Sequence, residues 1–288
     1  DPESAGSYYG LVTNKNDKPV GRLTITITPE GAYSGKLDGI NRSKRYFKGY
    51  VQPEYNASAP TKDVFGKLSV IDLSIARVDS GLFRISGQFH PLTDSEPSNF
   101  FSLRKSIYDI TNPPPSRLRG RYTMLIPSSS TTIRSQPAGD GLANGSLFRA
   151  GKLKLYGYSN SGAKFSYSCP ILEGDQTTFY TRPKGGLEAM VGNVIFSDEA
   201  ATDFRGEIRY RRKRSSNAYY DDFYLKNTSL EGSKYKKPSS GELSLNNFNL
   251  VEDNAIAKFS GSGFGGVDCT LTWTADGDML TNSTLTYS

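Results

Sequence analysis

The feature that most constrains this chain is the two-residue hydrophobic period of residues 21–51. Leu23, Ile25 and Ile27 alternate with Arg22, Thr24, Thr26 and Thr28, which puts the aliphatic side chains on one face of a strand and the polar ones on the other. Pro29-Glu30-Gly31 turns the chain. Tyr33, Gly35 and Leu37 begin a second strand, and after Asp38-Gly39 the residues Phe47, Gly49 and Val51 alternate with Tyr46, Lys48 and Tyr50 in a third. Such a pattern suits an antiparallel meander with one dry face and one wet face.

The same grammar continues along the chain. Tyr8-Tyr9-Gly10-Leu11-Val12 reads as an opening strand, and Phe83, Ile85, Gly87 and Phe89 alternate after Asp79-Ser80-Gly81. The phrase Ser80-Gly81-Leu82-Phe83-Arg84-Ile85-Ser86-Gly87 repeats the turn, strand and glycine of Glu30-Gly31-Ala32-Tyr33-Ser34-Gly35. Residues 52–62, polar and carrying Pro53 and Pro60, read as an irregular loop. Asn112-Pro113-Pro114-Pro115-Ser116 is the strongest punctuation, because consecutive prolines cannot donate to a ladder. It divides the sequence into a unit at 1–112, a linker at 113–116 and a second unit at 117–288.

Beyond the linker, Arg119-Gly120-Arg121-Tyr122-Thr123 opens a strand much as Ser7-Tyr8-Tyr9-Gly10 does. Residues 145–171 echo the opening meander: Gly151-x-Leu153-x-Leu155-x-Gly157 stands where Gly31-x-Tyr33-x-Gly35 stood, and Phe165 where Phe47 stood. Further strands are expected at 177–182, 187–197, 204–211, 243–250, 267–274 and 280–287, with a loop at 215–222 and a hairpin turn at Asp276-Gly277-Asp278. Twenty-nine glycines and 12% aromatics accompany this pattern, and no long helical run interrupts it. The expected fold class is all-β: two tandem antiparallel barrel-like or sandwich-like units with very little helix.

No apolar run approaches the roughly 20 residues of a membrane helix. The net charge of +6 is local, since residues 205–237 hold ten basic and four acidic side chains. That patch reads either as a surface for acidic sugars, lipid or nucleic acid, or as a solvated strand face in which Phe204, Ile208 and Tyr210 alternate with Arg205, Glu207, Arg209 and Arg211. The motifs of nucleic-acid readers are missing, so no nucleic-acid partner is expected. Cys169 and Cys269 each lie in phase with apolar neighbours and point inward, either as buried thiols or as one disulfide.

Candidate chemistry is sparse. The single histidine, His90, has no nucleophile elbow near it, and one histidine without a cysteine cluster argues against a zinc site. Asp140, Asp175, Asp203, Asp221, Asp222, Asp276 and Asp278 could form a glycosidase pair, but most stand in Gly- or Asn-rich turns where aspartate bonds its own backbone. No catalytic residue, metal or cofactor is expected. The cluster Tyr219, Tyr220, Asp221 and Asp222, beside Arg211 and Arg212, is the candidate ligand site: tyrosines, carboxylates and guanidinium groups together suit sugar stacking or a protein partner. The same residues also fit an aromatic strand plugging the core.

The combination of Tyr8-Tyr9-Gly10-Leu11-Val12, Gly31-x-Tyr33-Ser34-Gly35-Lys36-Leu37, Arg119-Gly120-Arg121-Tyr122-Thr123, Gly139-Asp140-Gly141-Leu142-Ala143 and Gly151-Lys152-Leu153-x-Leu155 resembles β-rich modules of large secreted or cell-surface, adhesin-like proteins of environmental bacteria. The resemblance implies an exported, extracellular module, structural or adhesive. The partner expected for such a chain is a polysaccharide or another surface protein. It transfers no site residues. The expected function is a non-catalytic extracellular β module for surface structure or adhesion. The alternatives are a carbohydrate-binding, lectin-like module and a barrel that holds a small ligand or sits in the outer membrane.

Overall fold

The computed structural model describes residues 2–41, 43–63, 66–78, 81–93, 99–128, 137, 139–183, 188–197, 203–212, 223–235, 254–261, 264–272 and 285–287, with backbone alone at 223–227 and 254–287. The period-two segments become strands. The first eight are β1 (Gly6–Asn14), β2 (Pro19–Ile27), β3 (Ala32–Gly39), β4 (Lys44–Tyr50), β5 (Asn56–Lys62), β6 (Leu68–Arg77), β7 (Phe83–Pro91) and β8 (Asn99–Lys105). The next eight are β9 (Gly120–Ile126), β10 (Gly141–Leu147), β11 (Lys152–Tyr158), β12 (Lys164–Pro170), β13 (Gln176–Thr181), β14 (Glu188–Phe196), β15 (Phe204–Arg212) and β16 (Phe223–Lys234). Among the described residues the only helical piece is a 3₁₀ turn at Pro2–Ser4.

Each set of eight forms one antiparallel sheet, in the orders β4-β3-β2-β1-β8-β7-β6-β5 and β12-β11-β10-β9-β16-β15-β14-β13. The end strands of each order lie side by side, so each sheet is a nearly closed barrel whose seam falls in the middle of its chain segment. Closing a sheet this way protects its edges from pairing with other chains. Both barrels belong to one compact unit, Asp1–Lys234, and Tyr235–Ser288 is another. In the latter, β17 (Asn254–Gly261), β18 (Phe264–Thr272) and β19 (Leu285–Tyr287) form a three-stranded sheet. The proline-rich stretch expected as a linker lies between β8 and β9.

An eight-stranded barrel is just wide enough to be filled by its own side chains. Leu23, Ile25, Leu37, Ile71, Ile85, Phe89 and Leu103 fill the first, and Tyr122, Phe179, Met190, Phe204, Ile208 and Leu230 the second. Burying each such group contributes about 1.5–3 kcal/mol. Arg22, Thr24 and Thr26 alternate outward along β2, as the period requires.

Most hairpins use one turn, in which the first N–H bonds the fifth carbonyl and the fourth N–H bonds the first carbonyl. Its fourth residue is left-handed, which glycine adopts without strain: Gly31 has φ 84° and Gly151 φ 71°. Tyr55 takes the same conformation at φ 59°, and stacks on Phe83 at 6.2 Å.

The barrels also begin alike. Tyr8 donates to the Ser4 carbonyl and Tyr122 to the Leu118 carbonyl, both at 2.6 Å. Lys105, at the end of β8, donates to the Glu3 carbonyl at 2.7 Å, and Lys234, at the end of β16, to the Ser116 and Arg117 carbonyls at 3.0 Å. Each lysine stem crosses a glycine of positive φ, Gly6 and Gly120, where a Cβ would come within 2.7 and 2.6 Å of the lysine Cε. Two similar units are therefore plain in the structure.

Two expectations need correction. Residues 56–62, read as loop, are β5: Ala57 and Ala59 point inward, and β5 ends the hydrogen-bonded order, where the missing N–H of Pro60 breaks no ladder. The partner of Phe47 is Tyr167, not Phe165. Gly35 faces Phe47 across β3–β4 as Leu155 faces Tyr167 across β11–β12, whereas Phe165 faces Gly157.

Candidate functional site

The two barrels are joined by directed contacts. Arg84 on β7 grips Glu173 with two nitrogens at 3.2 and 3.1 Å, and Glu173 N–H donates to the Lys105 carbonyl. Asp175 accepts from the Tyr108 hydroxyl at 3.0 Å and from Arg117 at 2.5 Å. Tyr180 donates to the Gly39 carbonyl at 2.9 Å, and Arg22, itself paired with Asp38, lies 5.2 Å over the Tyr180 ring. Burial pushes the Tyr108 and Tyr180 hydroxyls up to about 12, so at neutral pH both act as neutral donors.

Beside this junction the outer faces of β1 and β8 look across at those of β13–β16. They enclose a cleft of about 1010 Å³, the size of a small-molecule or oligomer site and in the kind of place such sites favour, between two similar bodies. Its walls alternate cations with acids: Arg104, Arg205 and Arg209 with Asp17, Glu207 and Glu231. Asn193, Gln176, Ser229 and Thr178 stand between them.

Phe100 on β8 is shared by this cleft and a second, smaller groove of about 620 Å³ across the outer face of β5–β8. Strand register arranges that face in two rows: Asn56, Ser74, Ser86 and Ser102 in one, and Ser58, Asp72, Gln88 and Phe100 in the other. These side chains are short and polar apart from the Phe100 ring, which is 37% exposed.

The residues expected to bind a ligand are placed differently. Tyr219, Tyr220, Asp221 and Asp222 lie outside the described residues. Arg211 and Arg212 are neighbours on β15 whose side chains leave opposite faces. Arg212 sits at the end of the second barrel, 3.8 Å from Glu188. Glu188 is 5% exposed and accepts hydrogen bonds from Ser159 at 2.8 Å, from Tyr210 at 2.7 Å and from Ser161. A carboxylate ringed by three hydroxyls and a guanidinium has its lone pairs occupied. The arrangement is built to hold a buried charge, not to move a proton. Burial, and then the Glu188 charge, push the Tyr210 hydroxyl well above its ordinary range.

His90 pairs with Asp72 at 3.2 Å, and Ser58 donates to the other oxygen of Asp72 at 2.8 Å. The carboxylate stands between the hydroxyl and the imidazole, so His90 does not contact the serine it would need to activate. Asp140 accepts from Ser128 N–H and Asp203 from Lys234 N–H, both as turn or strand-end caps. Asp276 and Asp278 lie outside the described residues. Cys169 is a free, buried thiol pushed upward by desolvation, whereas the Cys269 side chain is outside the described residues. No group of three metal-binding side chains occurs among the described residues.

No protein-family model matches the chain, and no curated protein matches it.

Proposed function

We propose that the chain is a non-catalytic binding module, used on the outside of a cell for adhesion or surface architecture. The observation that carries this reading is the division of labour within Asp1–Lys234: both barrel interiors are filled by side chains, and a cleft of about 1010 Å³ lies between their outer faces. Filled interiors favour ligand capture outside the barrels over storage inside them. Polar outward residues such as Thr24, Thr26, Lys36 and Lys48 favour barrels surrounded by water over barrels surrounded by lipid. The Arg84–Glu173 pair and the hydrogen bond from Tyr180 to the Gly39 carbonyl join the bodies, which suits a part that transmits or resists load.

The test is retention on coated surfaces combined with product analysis. The purified chain is expected to bind saturably to surfaces coated with cell-wall polysaccharide or cell-surface protein and to release no product from a panel of glycosides and esters. Repeated turnover of any of these substrates by the folded protein would overturn the reading.

A further inference from the structure

We propose that the groove across β5–β8 and the inter-barrel cleft form one continuous track for a linear oligosaccharide, with Phe100 as the stacking platform where they meet. The inference rests on the non-catalytic binding reading and names its site and ligand class. Three features point to a sugar chain. Donors and acceptors are interleaved: the Asn56, Ser74, Ser86 and Ser102 row and the Ser58, Asp72 and Gln88 row both give and take hydrogen bonds, as vicinal hydroxyls require. Phe100, 37% exposed at the β8 end of these polar rows, offers apolar aromatic surface suited to the C–H side of a pyranose. Successive strands lie roughly 4.8 Å apart, comparable to the repeat of an extended sugar chain, so a chain crossing the strands meets an equivalent set of groups at each step.

Competing occupants fit less well. A nucleic acid needs a basic stripe, but the cleft balances Arg104, Arg205 and Arg209 against Asp17, Glu207 and Glu231. An amphipathic helix anchors several large apolar side chains in a groove, and the rows here offer one large apolar side chain, Phe100, among hydroxyl, amide and carboxylate groups. The contacting groups are carried on paired strands and are short, so little side-chain freedom is lost when a ligand settles on them.

Isothermal titration of the full chain with cellohexaose, xylohexaose and hexagalacturonate tests the proposal. At least one hexasaccharide is expected to bind. Phe100→Ala should weaken that binding at least tenfold and Gln88→Ala several-fold. Tyr156→Ala, which removes an exposed aromatic on the second barrel away from the track, should change it less than twofold. Melting curves of the three variants are expected to stay close to the parent, which separates lost contact from lost fold. Failure of all three sugars to bind, or binding that Phe100→Ala leaves intact, would overturn the track. Retention on coated surfaces by Phe100→Ala would sink the track and leave the module standing, whereas shortening of a bound hexasaccharide would sink the non-catalytic reading and leave the track.

Discussion

Where β6 begins and β7 stops, the last inward pair of the first barrel is Ser69 opposite Pro91. At the matching end of the second barrel it is Glu188 opposite Arg212. One row deeper, Phe89 in the first barrel is answered by Tyr210 in the second, whose hydroxyl reaches Glu188. The same frame is thus finished in two ways. An uncharged finish needs few partners: Ser69 donates to the Lys67 carbonyl at 3.0 Å. An ionic one holds only while every donor around the carboxylate is in place, because an unpaired buried charge costs far more than the pair returns.

The sharpest way to break this comparison is Glu188→Ala, which takes a buried carboxylate away from Arg212 and three hydroxyls. It is expected to cost about 3–5 kcal/mol in urea unfolding, whereas Ser69→Ala costs under about 1 kcal/mol. Equal costs would remove the distinction. At the junction, Arg84→Ala leaves Glu173, 8% exposed, without its two-pronged partner. The expected loss is about 1–2 kcal/mol, at the low end for a charged hydrogen bond because Arg84 is itself 36% exposed.

The shared opening of the barrels sharpens the comparison from the other side. Tyr8→Phe and Tyr122→Phe remove the same hydroxyl-to-carbonyl bond and are expected to cost about 1 kcal/mol each, within about 0.5 kcal/mol of one another. A clear inequality would show that the two openings are alike in shape only.

The remaining effect is alkaline. Tyr108 and Tyr180 titrate near 12 when folded and near 10 when unfolded, so above pH 10 the unfolded chain sheds these protons first. Stability that is complete below pH 10 should therefore fall between pH 10 and 12. Tyr180→Phe should flatten that slope in pH-dependent unfolding, and an unchanged slope would remove Tyr180 from the explanation.

The frame was legible in the sequence because the alternation of Leu23, Ile25 and Ile27 is the packing itself, read one residue at a time. The glycine turns at Gly31 and Gly151 were equally open, since φ above zero selects the residue. Two readings failed where neighbours in space outweigh neighbours in sequence. Pro60 marks a loop until β5 is known to end the sheet, and the Phe47 equivalence slips by two residues because alternating sequences match at every second step. The candidate site was hardly legible. Ser58, Asp72, Gln88 and Phe100 come from four strands, and each alone is an ordinary outward position; only register places them in a row. Glu188 lay hidden for the opposite reason: an acid in an inward position looks like a strand end until Ser159, Ser161 and Tyr210 are seen around it.

Hydrogen exchange of the full chain, alone and with the hexasaccharide that binds most tightly, tests most directly whether the interiors hold the fold while the outer face of the first barrel meets the ligand. Core amides of β1–β16 should exchange slowly in both states, and added protection should fall on β5–β8, β1 and the facing wall of β13–β16. Protection gathered instead around Glu188, Tyr210 and Arg212 would contradict this and place the ligand at the end of the second barrel.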